Sequence, residues 1–258
     1  MTALSRRVPI LAYHSIAGGP PPLCLPPARF GEHVSSLVDA GWTSLTLDDL
    51  LDGHGRGGWP DRRVMFTFDD GLVSFAREAL PRLVRAGFAA TLFVVAGRIG
   101  GETDWPGWPP GTPRERLLDT AALAEVAAAG VEIGAHAVSH CRLSTLDADA
   151  AAREVLDGRR HLEDLLSRPV RSFAYPFGEV TPATSRLVRE RFEAGFGIRL
   201  AYASPRSRLE AFERIDAYYL RNRRSLARLS SRGTRVHLAV RSVAREARRA
   251  SGYGRRSL

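Results

Sequence analysis

Three short stretches of this 258-residue chain combine residue types and spacings that could do chemistry. An apolar run, Val64–Phe68, ends in Asp69-Asp70-Gly71. Two adjacent carboxylates after an apolar strand are costly unless solvated, paired or bound to a metal, and the glycine permits a sharp turn that lets both face one cavity. A second strand-like run, Val131–Ala135, ends in His136-Ala137-Val138-Ser139-His140. Histidines four apart lie on one side of a helical turn, a spacing that can chelate one divalent ion. With a carboxylate they make a His₂Asp set with open positions, suited to zinc or another transition metal poised for hydrolysis. The third stretch is Ser172-Phe173-Ala174-Tyr175-Pro176-Phe177-Gly178. An aromatic-Pro-aromatic-Gly turn after a strand can aim a backbone N–H into a cavity, where it would serve an oxyanion. Taken singly, each stretch has a plainer reading: a solvated strand-end turn, a surface coincidence of two histidines, a core turn.

The elements that must position these residues alternate along the chain. Strand-like runs are Val8–Ser15, Thr43–Leu45, Val64–Phe68, Ala89–Ala96, Val131–Ala135, Ser172–Tyr175, Ala194–Ile198 and Ile215–Leu220. Between them lie segments of helical period: Ala28–Ala40, with Phe30, Val34, Leu37 and Val38 on one face, a turn at Leu47–Leu51, Val73–Ala86 stopped by Gly87, Thr120–Ala129 stopped by Gly130, Asp147–Leu166 capped by Ser144 or Asp147, and Pro182–Arg191. Strand–helix alternation predicts a parallel sheet, and seven or eight strands predict a closed or nearly closed α/β barrel with its chemistry at the strand ends. The length fits one such domain, since barrels commonly reach about 250 residues.

Thr67-Phe68-Asp69-Asp70-Gly71, His136-Ala137-Val138-Ser139-His140 and Phe173-Ala174-Tyr175-Pro176-Phe177-Gly178 together resemble the first three motifs of the polysaccharide deacetylases, carbohydrate esterase family four. The opening Ala12-Tyr13-His14-Ser15-Ile16 resembles the Tyr-His start of the branch containing biofilm poly-N-acetylglucosamine deacetylases. The resemblance covers roughly residues 8–220, and three motifs in order are far more specific than any one. It implies a distorted (β/α) barrel of about seven parallel strands and a metal-dependent N-deacetylase acting on an N-acetylated amino sugar or glycan. It implies further that Asp70, His136 and His140 hold a divalent transition metal, zinc first and cobalt, nickel or iron as alternatives. Asp69 would be the general base and the Phe177 N–H an oxyanion donor.

The chain departs from the family pattern in three places. Ala137 stands where the family has Ser or Thr after the first metal histidine. Ala174 stands where it has an Arg that contacts the catalytic Asp; Arg171 or Arg214 would have to substitute, and Arg214 is preferred. The Leu-x-x-His motif has no match, because His237 lacks the leucine; His14, on the first barrel strand, is the better candidate acid, with a purely structural histidine as the alternative. Trp105 and Trp108 lie in a Gly/Pro-rich insert, Gly100–Pro113, where they would stack on sugar or cover the barrel mouth.

Charge divides the chain. All 37 basic residues are Arg; 12 lie from Arg221 onward with one acid, Glu246, for a net of +11, while residues 1–220 carry 25 Arg against 27 acids, a net of −2. The expected organisation is a catalytic barrel over 1–220 and a basic tail over 221–258. In Arg235–Ala250, Val236, Val240, Val243 and Ala247 share one helical face, and Arg241, Arg245 and Arg248 another. A solvated or partly disordered tail is the plainest reading; peripheral contact with an anionic membrane is the functional one. No nucleic-acid partner is expected, because the near-neutral body offers no basic groove and that role would leave the metal set unexplained. A carbohydrate-binding protein of the same fold with weak catalysis is the alternative to the enzyme, and the retained Asp-Asp and His/His sets argue against it. Met1–Arg7 is followed only by a short apolar run, Val8–Ala12, interrupted by Pro9, so the cytoplasm is the expected compartment and Cys24 and Cys141 are expected as free thiols.

Overall fold

The computed structural model of the chain describes the backbone of residues 4–220 and 226–250, with the side chains of the last helix described as far as residue 245. The strands are β1 (Leu4–Ser5), β2 (Ile10–Tyr13), β3 (Thr43–Ser44), β4 (Trp59–Pro60), β5 (Arg63–Phe68), β6 (Thr91–Val94), β7 (Glu132–Ala135), β8 (Ser172–Ala174), β9 (Ala194–Phe196) and β10 (Ile215–Asp216). The helices are α1 (Pro27–Asp39), α2 (Leu47–Gly55), α3 (Leu80–Ala86), α4 (Thr120–Ala128), α5 (Ala148–Leu166), α6 (Pro182–Arg191) and α7 (Arg232–Ala250).

Seven strands pair in the order β10-β2-β5-β6-β7-β8-β9, every pair parallel, with β3 joined to the start of β5. Buried on both faces, β2 and β6 read as continuous apolar runs, the pattern expected when helices cover a parallel sheet. The two edge strands do not pair directly. The segment before β10 fills the gap: the Phe212 N–H donates to Gly195 O, Phe212 O accepts the Gly197 N–H, and the Arg214 N–H donates to Arg199 O. A distorted barrel results. β1 and β4 form a separate antiparallel pair too short to be read from sequence.

The helices follow their local chemistry, with differences from expectation that have physical causes. α1 buries Phe30, Val34 and Leu37, but Val38 is 46% exposed, since at 100° per residue it falls off the edge of that stripe. The helix expected over Val73–Ala86 opens instead as a π turn, Phe75–Ala79, directly before Pro81, whose missing N–H and bulky ring disfavour a regular turn there. Gly87 then ends α3 in the left-handed conformation, φ 68°. Asp147, not Ser144, caps α5 by accepting the Ala150 N–H.

The boundary drawn at residue 220 is not a break in packing. Leu226, Leu229 and Leu238 are buried in the main core, and Tyr202 donates its hydroxyl hydrogen to Leu229 O at 2.6 Å. α7 rests on the barrel through Leu238, 1% exposed, and turns the Val236–Val240–Val243 stripe outward, at 57, 64 and 67% exposure. The side chains of Ala247 and Arg248 lie outside the described residues. Among the described residues no helix is long and apolar enough to cross a membrane. Cys24 and Cys141 are free thiols.

Candidate active site

The site stands at the C-terminal ends of the barrel strands, where a parallel barrel delivers side chains from many strands to one mouth. His14 directly follows β2, Asp69 and Asp70 follow β5, His136 follows β7, and β8 leads into Tyr175–Phe177. Each of these strands is nearly or wholly buried, so the first polar residue after it emerges at the rim.

Asp70, His136 and His140 converge, all three buried. Asp70 Oδ1 lies 3.6 Å from His136 Nε2 and 3.3 Å from His140 Nε2, and one ligand atom from each residue falls within 4.8 Å of the others. Four ligands at ~2.1 Å from a zinc ion stand about 3.4 Å apart, the edge of that tetrahedron, so the spacing suits a shared ion. Two further observations fit. Asp70 Oδ1 is buried without a hydrogen bond, an orphan that an ion would satisfy. His136 Nδ1 lies 2.7 Å from Ala174 O, which can only accept; Nδ1 therefore carries the proton and Nε2 presents its lone pair toward Asp70. Burial pushes the Asp70 carboxyl up to about 7, with the neighbouring Asp69 charge adding to the rise against the pull of His14. Burial likewise lowers His136 to about 4, which keeps it neutral. His136 already offers a free lone pair, and only Asp70 would have a proton to give up to a cation.

Asp69 has the opposite surroundings. Arg214, 1% exposed, grips both its oxygens, Nη1 to Oδ1 at 2.6 Å and Nη2 to Oδ2 at 2.9 Å. The guanidinium is itself held by Gly197 O at 2.8 Å and Thr67 Oγ1 at 3.2 Å, and Thr67 in turn donates to Leu11 O. Burial alone would raise the Asp69 pKa; the Arg214 charge, then His136 and His14, outweigh it and hold the carboxyl well below the usual range. The structure thus places Arg214, not Arg171, on Asp69. Arg171 precedes β8, at the other end of the barrel, and pairs with Glu193 and Asp48. His14 Nε2 sits 3.6 Å from Asp69 Oδ2, with its ring part-exposed at the mouth.

Phe177 takes up φ 56°, which turns its peptide at the mouth, and its N–H donates to no backbone carbonyl outside its own turn among the described residues. It is one of six non-glycine residues with positive φ among the described residues, and Asp70, Ala137 and His140 are three of the others. Four such residues around one cavity mark a place where packing holds an unfavourable backbone, at roughly 1–3 kcal/mol each. Trp105 is buried against the His140 ring at 4.5 Å, and Phe177 packs on the same ring at 4.8 Å. Trp105 is therefore a wall of the site, with Trp108 edge-on to it at 5.7 Å.

Sequence reading passed over Glu154 on α5. Its carboxylate accepts the N–H groups of Val138 and Ser139 at 3.0 and 2.9 Å and the Ser139 hydroxyl at 2.8 Å, holding the loop between the two histidines. Gly158, one turn on, lets that loop lie directly on the helix: a Cβ there would sit 3.0 Å from the Ala137 carbonyl carbon. At Ala137, where the family pattern has Ser or Thr, the loop is held by α5 instead.

Comparison with known proteins agrees with this geometry. Residues 56–193, just over half of the chain, match the family described as polysaccharide deacetylase. A curated relative from Bacillus subtilis (strain 168), "Putative polysaccharide deacetylase YxkH", is 27% identical over 179 residues, 69% of this chain but 59% of the relative's own length. Among solved structures, IcaB from Ammonifex degensii superposes with a TM-score of 0.71 at 24% identity, covering 84% of this chain and 96% of that one. The Streptococcus pyogenes deacetylase PplD, solved with acetate, gives 0.70 at 24% identity, covering 81% and 91%. At such identities these two establish the fold. The family match, spanning more than half the sequence and containing both the Asp69-Asp70 and the His136/His140 stretches, settles the relationship: the chain belongs to the polysaccharide deacetylase family.

Proposed function

We propose that the protein is a metal-dependent hydrolase that removes N-acetyl groups from an amino sugar within a glycan, releasing acetate and leaving a free amine. The observation that carries this reading is the pair of adjacent carboxylates with opposite partners: Asp70 orphaned beside two histidines, Asp69 neutralised by a buried Arg214. Asp70, His136 and His140 would hold the ion, zinc by preference of this donor set, with cobalt, nickel or iron able to use it. When bound, it supplies a Lewis acid that polarises the acetamide carbonyl and acidifies water.

The chain's own residues do the rest. Arg214 keeps Asp69 ionised inside a buried site, ready to accept the proton of the attacking water. The same pairing lowers its basicity, so the water must itself be acidified for the transfer to run. The Phe177 N–H donates to the oxygen that gains charge as the carbonyl carbon becomes tetrahedral. As the C–N bond breaks, the leaving nitrogen takes a proton from His14, whose Nε2 lies next to Asp69 and at the mouth. Trp105, Phe177 and Leu72 exclude bulk water from the ligand side.

Acetate release from N-acetylglucosamine oligomers, with and without added Zn²⁺, Co²⁺ or Ni²⁺, tests the reading. Release that needs the ion supports it. Glycan binding without release under any ion would support a binding protein of the same fold.

For α7 the reading is peripheral contact with an anionic membrane. The outward valine stripe supports it, as do the five Arg and no acid between residues 226 and 245. Flotation with phosphatidylglycerol vesicles should be lost when Val236, Val240 and Val243 are all replaced by serine. Equal flotation of both forms would contradict it. Truncation is the poorer test, because it uncovers the core that Leu226, Leu229 and Leu238 close.

A further inference from the structure

A cavity of about 300 Å³ adjoins the candidate active site, with His14 among the residues that line it. Its walls are mostly apolar, with Pro22 and Leu25 from the loop before α1 and Ala217 after β10; His33 and Arg29 of α1 also line it, Arg29 with its charge paired to Glu32 at 2.9 Å. One carboxylate, Asp216 at the end of β10, also lines it. Asp216 Oδ1 accepts the Tyr218 N–H at 2.9 Å, whereas Oδ2 makes no hydrogen bond and no cationic side chain forms an ion pair with it among the described residues. His14, Arg245 and Arg214 act on it without forming an ion pair. An acid that no cation pairs with, beside apolar walls and an arginine already held by Glu32, favours a ligand that brings a positive charge together with a nonpolar surface. A neutral ligand would leave the acid desolvated and unpaired, which is the strongest kind of discrimination a small site can make.

A hexosamine with a free amine has both features: an ammonium group and a ring face of C–H bonds. The reaction read from the neighbouring site produces that unit, and in a glycan it would lie within a sugar's length of the next acetamide. We infer that this cavity is a subsite for an already deacetylated hexosamine, its ammonium paired with Asp216 and its ring against Pro22 and Leu25, so that the enzyme acts by preference next to units it has already processed. The inference rests on the deacetylase reading for its ligand, and on the cavity and Asp216 for its place.

Two measurements separate the subsite from the reaction. In competition between a fully acetylated N-acetylglucosamine trisaccharide and one carrying a single free amine beside an acetylated unit, the wild-type protein should favour the amine-bearing substrate about tenfold in kcat/KM, and Asp216→Asn should bring the ratio near one. Calorimetric titration with a glucosamine disaccharide, which has no acetyl group to lose, should show binding that weakens about tenfold in Asp216→Asn. Leu25→Trp, which fills the cavity from its loop wall without touching β10, should also abolish that binding. The N-acetylated disaccharide should bind this cavity poorly in all three proteins. An unchanged substrate ratio in Asp216→Asn, or equal binding of the glucosamine disaccharide by all three, would overturn the subsite. Absence of acetate release from either trisaccharide would overturn the deacetylase reading instead, and the titration would still decide the cavity.

Discussion

Asp69 and Asp70 are consecutive in the chain, yet one is clasped by a guanidinium and the other faces two imidazoles with an oxygen unsatisfied. In the proposed reaction that contrast separates their roles and predicts how each fails. Asp69→Asn keeps the shape of the site but cannot take a proton, so acetate release should fall by ~10²–10⁴ with the bound ion retained; loss of the ion along with activity would contradict the division of labour. Arg214→Leu strands a buried carboxylate, and urea unfolding should show a loss of about 3–5 kcal/mol, because breaking one side of a buried pair is far worse than never having had it. His33 gives a separate pH signature. It is buried against the Tyr13 hydroxyl at 3.2 Å, and burial, with Arg29 adding to it, lowers its pKa to about 4. The unfolded chain takes up that proton near the ordinary histidine value, about 6.5, whereas the folded one waits until about 4. Stability contributed by neutral His33 is therefore complete above pH 6.5 and drains as pH falls toward 4, by at most about 1.4 kcal/mol per unit. His33→Gln should flatten the stability curve in that window relative to wild type; parallel curves would rule the contribution out.

At the scale of elements, α5 controls the ligand loop. Glu154 binds two backbone N–H groups and a hydroxyl of the segment between His136 and His140, a segment whose Ala137 and His140 hold positive φ. Glu154→Ala should weaken ion affinity about 10–100-fold, measured by competition with a chromophoric chelator, while the helix itself persists. Unaltered affinity would mean that the loop is held by its own backbone. Nothing in the sequence near residue 154 announced this role, since the partners lie about 15 residues away and one charged residue on a helix reads like any other. The same limit hid the π turn before Pro81 and the outward valine stripe of α7, whose period was plain from the sequence but whose direction depends on the Leu238 anchor. Strand positions were easier. Buried parallel strands are mostly apolar, so Val64–Phe68 and Val131–Ala135 stood out, and the polar residues directly after them fell at the barrel mouth.

At the scale of the molecule, the barrel's curl brings together residues that the sequence keeps far apart. Arg214 reaches Asp69 across 145 positions because β10 and β5 flank the same strand, β2. The sequence could nominate Arg214 as one of two candidates but could not choose by distance; only the closure of the sheet separates it from Arg171 at the opposite end. The tail belongs to this scale too, since its leucines complete the core although its charge marks it off from the body. The account as a whole depends on one ion held at Asp70, His136 and His140. The most direct measurement is acetate release from N-acetylglucosamine oligomers by protein stripped with a chelator and then titrated with Co²⁺, with the number of ions bound followed in parallel. One ion per chain should restore release, and His136→Ala with His140→Ala should bind none and release none. Undiminished release from the stripped protein, or equal ion binding by the double variant, would contradict it.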